Sequence, residues 1–358
     1  MVSLICHPKI DGAFTEGIGR VEEKAVAGRT RGLVLKFFYA FMAAGSNERK
    51  KKAPRNRTLE LDPAEIKRLR SRLLPGKRVD KSALNRVICG DAFEALPKLA
   101  NGRFDLLFAD PPYNLTKAFG KETFRTRTSD EYEGWLASWL SLCVPLLKPT
   151  ASVYICGDWR SSSAIQRVGS KYFNLQNRIT WEREKGRGAK QNWKNTAEDI
   201  WFFTVSDEFT FNLDAVKVRR KVLAPYKENG KPKDWQAGEN GNYRDTHPSN
   251  IWTDVSVPFW SMPENTDHPT QKPEKLLAKI ILASTSVGDL ILDPFAGTGT
   301  TAVAAKKLGR DFVAIESDEQ YCLLAQKRLN LAETEKSVQG FADGVFWERN
   351  SGQLRERQ

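Results

Sequence analysis

Cysteine and histidine are scarce in this chain, and neither falls into a pattern. Its 358 residues include five cysteines (Cys6, Cys89, Cys143, Cys156, Cys322) and three histidines (His7, His247, His268). There is no Cys-x-x-Cys pair and no Cys/His metal spacing, so no metal centre is expected. Cys89 and Cys156 lie inside apolar, strand-like runs and read as small buried hydrophobes, which suits a reducing cytoplasm. Long hydrophobic runs are also missing. The strongest, Leu33 to Ala44, contains Lys36 and is too short to span a bilayer, and nothing near the start resembles a secretory signal. No Gly-Lys-Ser/Thr element marks a Walker phosphate loop.

What the chain has is a hydrophobic fraction of 40%, ten tryptophans and a formal charge of +12, with a pI near 9.4. The length suffices for one substantial core with a smaller lobe attached. The charge favours a polyanionic partner, although a membrane surface could use the same charge.

The composition changes along the chain. Residues 1–85 read as a basic N-terminal extension, with Lys50-Lys51-Lys52 in a polar linker. Asp62, Pro63 and Glu65 then form a helix start: a cap, a proline at the first helical position and a capping box. From Arg86 short apolar strands alternate with helices, at Val87–Cys89, Phe104–Ala109, Ser152–Cys156, Asn177–Trp181, Ile200–Val205, Leu290–Leu292 and Phe312–Ile315. This is α/β patterning, with parallel strands buried on both faces. Residues 184–266 break the rhythm and read as an inserted, loop-rich region between two core halves, 86–183 and 267–332. The tail, 333–358, reads as peripheral.

Two strand ends carry chemistry. The run Phe104 to Ala109 opens into Asp110-Pro111-Pro112-Tyr113, which sets a carboxylate, a stiff turn and an aromatic ring at the mouth of a cleft. Asp110 and the Pro111 carbonyl can accept both hydrogens of a planar exocyclic amine, freeing its lone pair for attack. Such bonds help to the extent that they strengthen in the transition state. Tyr113 can stack on a base turned out of its duplex. The second strand end is Asp293-Pro294-Phe295-Ala296-Gly297-Thr298-Gly299-Thr300. Gly297 and Gly299 let backbone approach a ligand, and Glu316 ends the next strand as a partner for ribose hydroxyls. The residues leave the ligand open. Gly297-Thr298-Gly299-Thr300-Thr301-Ala302 also satisfies the loose dinucleotide fingerprint, and a merely structural turn has the same shape. Asp293 favours a methyl donor with a cationic methionine end.

Taken together, these elements resemble the beta-ordered amino-group DNA methyltransferases, which modify adenine N6 or cytosine N4. The resemblance covers about residues 86–331. It rests on Asp110-Pro111-Pro112-Tyr113, then a recognition region, then Phe295-Ala296-Gly297-Thr298-Gly299, in that order. It implies a Rossmann-like S-adenosylmethionine-dependent methyltransferase fold, a mixed seven-stranded sheet in the order 3-2-1-4-5-7-6 with helices on both faces and the last strand antiparallel. It further implies a catalytic set of Asp110, Pro111, Pro112 and Tyr113. The S-adenosylmethionine set would be Asp91, Ala92, Asp110, Thr270, Gln271, Lys272, Asp293, Phe295, Gly297, Gly299, Thr300 and Glu316, with Thr270 to Lys272 near the methionine end and Asp91 near the adenine. Without the resemblance, Asp91 reads mainly as a helix cap.

The expected activity is site-specific adenine-N6 methylation of double-stranded DNA, with cytosine-N4 methylation as the alternative. An NAD-dependent oxidoreductase leaves Asp110 to Tyr113 unexplained, and a noncatalytic DNA-binding protein leaves both strand ends without a task. Cytosine-C5 chemistry lacks its Pro-Cys nucleophile. Candidate DNA contacts are Arg183, Lys185, Arg187, Lys190, Gln191, Asn192, Trp193 and Lys194, with Arg219 and Arg220 on a second basic strip. A cognate restriction endonuclease is a family-level expectation. Monomer and homodimer are both left open.

Overall fold

Short runs rich in apolar residues become the strands of one large sheet. In chain order they are β1 (Leu74–Pro75), β2 (Arg86–Cys89), β3 (Phe104–Ala109), β4 (Leu147–Gly157), β5 (Asn174–Glu182), β6 (Ala197–Thr204), β7 (Ile251–Trp252), β8 (Leu290–Asp293) and β9 (Asp311–Glu316). The helices are α1 (Pro63–Arg72), α2 (Ala92–Ala95), α3 (Ser129–Cys143), α4 (Ser162–Gly169), α5 (Glu274–Ser284), α6 (Thr300–Lys307) and α7 (Glu319–Leu331). The computed structural model separates residues 1–53 from a second unit, 54–358, and describes residues 53–119, 122–183, 191–222, 226–237 and 241–348.

Across the sheet the order is β1-β2-β9-β8-β3-β4-β6-β5-β7. Only β6 runs antiparallel to its neighbours. The inner seven strands reproduce the expected order and the expected antiparallel member, and a two-residue strand extends each edge. Side chains alternate between two cores, as the period of two demands. Val87, Leu106 and Phe108 face one core. Ile88, Leu107 and Ala109 face the other.

Three boundaries differ from the sequence reading. Residue 85 is not a structural edge: Leu69 and Leu73 are buried in the core, β1 pairs with β2, and α1 is tied to α7 by Arg70–Glu319 and Lys327–Glu65 ion pairs. The capping box at Asp62 and Glu65 is present as read. The span 184–266 is not wholly an insertion either, because Ala197–Thr204 is an inner strand of the main sheet. The tail is not peripheral. Val345–Trp347 pairs with Val218–Lys221 and buries Phe346 completely. A tight hairpin makes this possible, with Asp343 and Gly344 both at positive φ, the conformation that an Asp-Gly turn favours. In addition, α3 begins at Ser129, where Thr128 and Glu131 form a capping box.

Candidate active site

β3 and β8 are parallel neighbours, with Leu106 opposite Ile291 and Leu107 opposite Leu292. Two segments 180 residues apart in sequence therefore end side by side. At the carboxyl ends of the strands lies a cavity of about 510 Å³, and Asp110, Pro111, Pro112, Tyr113, Asp293, Phe295, Gly297 and Glu316 all line it. This is where an open α/β sheet offers a ligand site.

On the β3 side the polar groups form a closed network. The Lys272 ammonium donates to Asp110 Oδ2 at 2.6 Å and to the Tyr113 hydroxyl at 3.1 Å, and lies 3.3 Å from Glu198 Oε2. The Tyr113 hydroxyl lies 2.9 Å from Asp110 Oδ1 and 3.1 Å from Glu198 Oε2. Arg183 pairs with Glu198 from the other side. Burial pushes the Tyr113 phenol well above its usual range, reinforced by Asp110 and Glu198. Burial opposes charge on Lys272, but the two carboxylates outweigh it and hold the ammonium protonated. Asn114 orders the loop by exchanging hydrogen bonds with the Arg127 backbone. Phe124, Arg127 and Trp135 add a wall of flat surface, with the Arg127 guanidinium over the Phe124 ring at 4.9 Å.

On the β8 side the carboxylates lack such compensation. Asp293 is buried and accepts from the Phe295 amide, but among the described residues no lysine or arginine pairs with it. Burial pushes its carboxyl up to about 7. Glu316 accepts from the Gly297 and Asp318 amides and is pushed up to about 7 for the same reason. His268 packs edge-on against Tyr321 at 4.5 Å and is driven down to about 4 by burial and by the nearby Lys272, which keeps it neutral. A buried carboxylate without a cation fits the ammonium of a methionine end, and Glu316 fits a pair of hydroxyl donors, so the residues present fit S-adenosylmethionine.

Several expected contacts serve other ends. Lys272 donates to Asp110 and Tyr113 and forms an ion pair with Glu198, so its ammonium is engaged in the β3 network rather than at the methionine end, although it lines the same cavity. Gln271 holds its own loop: its carbonyl oxygen accepts from the Thr266 amide and hydroxyl, and its amide donates to the Glu264 carbonyl. Gly299 does not line the cavity. It sits at φ +74°, and a Cβ there would come within 2.6 Å of the Ala325 Cβ, so it lets α6 pack against α7. Gly297, at φ +52°, does line the cavity. Thr270 and Thr300 line it too, with the Thr300 hydroxyl accepting from Arg328. Asp91 caps α2 and, with Ala92, forms part of the wall.

Two residues escaped the sequence reading. Glu198 is an inward-facing carboxylate on β6, signalled by a lone charge among the buried positions Ile200 and Phe202. Arg328, on α7, donates to the Thr298 carbonyl and pairs with Glu274 at 3.0 Å, clamping the glycine-rich turn.

Of the DNA candidates, Gln191, Asn192, Trp193 and Lys194 are exposed, Trp193 by 94%. Lys185, Arg187 and Lys190 lie outside the described residues. Arg183 turns into the cavity, as its pairing with Glu198 requires. Arg219 is held bidentately by Asp245 and lies over the Tyr243 ring at 4.2 Å, so its guanidinium is engaged within the small sheet. Arg220 on the same strand is half-buried. No helix among the described residues is long and apolar enough to cross a membrane.

Comparison with known proteins agrees with this architecture. A family model described as DNA methylase, of the N6/N4 type, matches residues 104–327. The type II methyltransferase M.HpaI of Haemophilus parainfluenzae is 34% identical over 250 residues, which cover 68% of this chain and 74% of that protein. The DNA adenine methyltransferase YhdJ of Escherichia coli K12 is 36% identical over 254 residues, covering 69% and 83%. Among solved structures, the PvuII DNA methyltransferase (cytosine-N4-specific) shares the fold with a TM-score of 0.51 at 18% identity, over 69% of this chain and 87% of that one. With the family model spanning more than half its length, this chain belongs to the N6/N4 DNA methylase family.

Proposed function

We propose that the protein methylates the exocyclic N6 amine of an adenine turned out of duplex DNA. The observation that carries this reading is the meeting of two unlike carboxylates, Asp110 and Asp293, in one cavity at the ends of adjacent strands. S-adenosylmethionine, when bound, supplies an electrophilic methyl group on a cationic sulfur. Asp293 takes its ammonium, Glu316 its ribose hydroxyls, and Asp91 with Ala92 the surroundings of its adenine ring.

The work of the β3 end is to hold the amine. Each ionised carboxylate oxygen has two lone pairs. Asp110 therefore keeps acceptor capacity for one amine hydrogen beside its bonds to Lys272 and Tyr113. The Pro111 carbonyl takes the other hydrogen. With both held, the nitrogen can become tetrahedral, and proton loss during or after transfer completes the reaction. Asp110 need not abstract a proton first. Phe124, Trp135 and the Tyr113 ring provide flat faces for the base. Adenine is preferred to cytosine because the Asp-headed motif pairs most often with adenine, and a 36%-identical relative is named an adenine methyltransferase.

Exposed Trp193 and its neighbours Gln191, Asn192 and Lys194 are the described candidates for contact with the phosphate backbone, next in sequence to the basic Lys185, Arg187 and Lys190. A type II relative makes a cognate restriction endonuclease the partner to look for, and the four described cysteines, all free thiols, suit a reducing cytoplasm. The test is methylation of mixed-sequence duplex DNA followed by nucleoside analysis. N6-methyladenine is expected. N4-methylcytosine would reverse the base assignment, and no methylated nucleoside from a donor-binding protein would overturn the DNA reading.

A further inference from the structure

Glu198 belongs to none of the motifs at the two strand ends, yet it closes the charge arrangement around Asp110. It is 3% exposed and lies 85 residues from Tyr113 in sequence. Its strand β6 is antiparallel to β5, where Trp181 is its partner, and this register brings Arg183 within reach of its carboxylate. Four charged groups are linked in this way, Arg183, Glu198, Lys272 and Asp110, with the Tyr113 hydroxyl between the two acids; Lys117 lines the same cavity within electrostatic reach of all four.

We infer that Glu198 is a positioning residue for methyl transfer, acting through Lys272 and Tyr113 to hold Asp110 in place for the amine and to offset the positive charge gathered around it. The inference rests on the function proposed above. Lys272 is shared between two carboxylates, 2.6 Å from Asp110 and 3.3 Å from Glu198. Tyr113 likewise has two carboxylates for its single hydrogen. Without the charge on Glu198, Lys272 and Tyr113 lose the second carboxylate that fixes their directions, and Asp110, which both hydrogen-bond, is no longer held square to the amine. The surroundings of Asp110 also become more positive by one charge. That charge opposes the reaction itself: the amine lone pair forms the new N–C bond, the C–S bond breaks with its electrons going to sulfur, and the nitrogen is cationic until one of its protons leaves to Asp110 or solvent. Both consequences fall on the transfer step, because the carboxylates of the donor side, Asp293 and Glu316, are a separate set.

The experiment measures single-turnover methylation at saturating DNA and donor, together with calorimetric binding of S-adenosylhomocysteine and thermal melting, for four forms of the full-length protein. Glu198→Gln is expected to slow transfer by about 30-fold while changing S-adenosylhomocysteine affinity by less than about threefold. Glu198→Asp, which retains the charge, should recover most of the rate. The double variant Arg183→Met with Glu198→Gln, which removes one charge of each sign and so leaves the local balance unchanged, should be faster than Glu198→Gln alone. A wild-type rate in Glu198→Gln overturns the inference. So does an equal loss in all three variants, accompanied by weaker binding and earlier melting, which would make Glu198 a strut of the fold. Wild-type protein that methylates no DNA overturns the proposed function and this inference with it, whereas an active wild type matched by Glu198→Gln removes this inference alone.

Discussion

The two strand ends that meet in the cavity are built on opposite electrostatic plans. At the β3 end the acids meet bases: Asp110 and Glu198 share Lys272, and Arg183 pairs with Glu198. At the β8 end Asp293 is buried and Glu316 half-buried, held by backbone amides and, for Asp293, the Thr301 hydroxyl, with no cation from the described residues, and both are pushed up to about 7. The first end is assembled before anything binds. The second is incomplete until a cationic ligand arrives. A methyl donor with an ammonium group supplies what the second end lacks, and the neutral substrate amine needs only what the first already has. The difference separates the two tasks: orientation of the acceptor is built into the fold, and donor binding is coupled to charge.

The largest way to break the separation is Asp110→Ala. Turnover should fall by at least about 1000-fold, since the amine loses its principal acceptor in the transition state, while S-adenosylhomocysteine affinity stays within about threefold. Calorimetry beside single-turnover kinetics checks this. Equal loss of both, in a protein that melts normally, would mean that Asp110 serves the donor.

Asp293→Asn is the reciprocal test. Removing a carboxylate that meets an ammonium in a buried site should weaken donor binding by about 100-fold. The same change should raise the melting temperature of the ligand-free protein at neutral pH, because a carboxylate buried without a cation opposes folding there. Loss of affinity with lower ligand-free stability would show that Asp293 is already compensated within the fold.

How much of this was readable from the chain depended on the range of the interaction. The capping box at Asp62 and Glu65 and the seven inner strands are local patterns, and they were legible. The capping box at Thr128 and Glu131 and the Asp343-Gly344 hairpin are equally local and were overlooked, so there the signal was present in the sequence. Glu198 is different. Its partner Lys272 is set by sheet order and its neighbour Arg183 by strand register, neither of which any window around Glu198 contains. Lys272 was assigned to the methionine end for the same reason: the segment identifies the residue, but only the fold decides which carboxylate its ammonium meets.

The glycine pair offers a sharper division within one motif. Gly299→Ala should destabilise the protein by about 2 kcal/mol, from a side chain at positive φ and an overlap with Ala325 Cβ at 2.6 Å. Donor affinity, measured well below the melting temperature, should change little, since Gly299 does not line the cavity. A large affinity loss with unchanged melting would return Gly299 to the ligand.

The smallest effect tests the comparison most directly, through pH. Asp293, Glu316 and Glu264 are each raised by burial to about 7, from 3.8 for the aspartate and 4.5 for the glutamates. A carboxyl raised on folding favours the protonated native state, so its contribution to ligand-free stability is complete below about pH 4 and lost as pH rises through 7. Donor binding should run the other way. An ammonium needs the ionised form of Asp293, so affinity should tighten by up to about tenfold per pH unit from 5.5 toward 7 and then level off. Thermal melting with and without S-adenosylhomocysteine, scanned from pH 5.5 to 7.5, should therefore show a ligand-induced shift that grows with pH. Asp293→Asn should flatten most of that slope, leaving the part due to Glu316. Asp110→Ala should keep the slope but move it to lower pH, because Asp110 faces Lys272 instead of the donor's ammonium and its charge adds to burial in raising Asp293. A slope lost in Asp110→Ala and kept in Asp293→Asn would exchange the roles of the two strand ends.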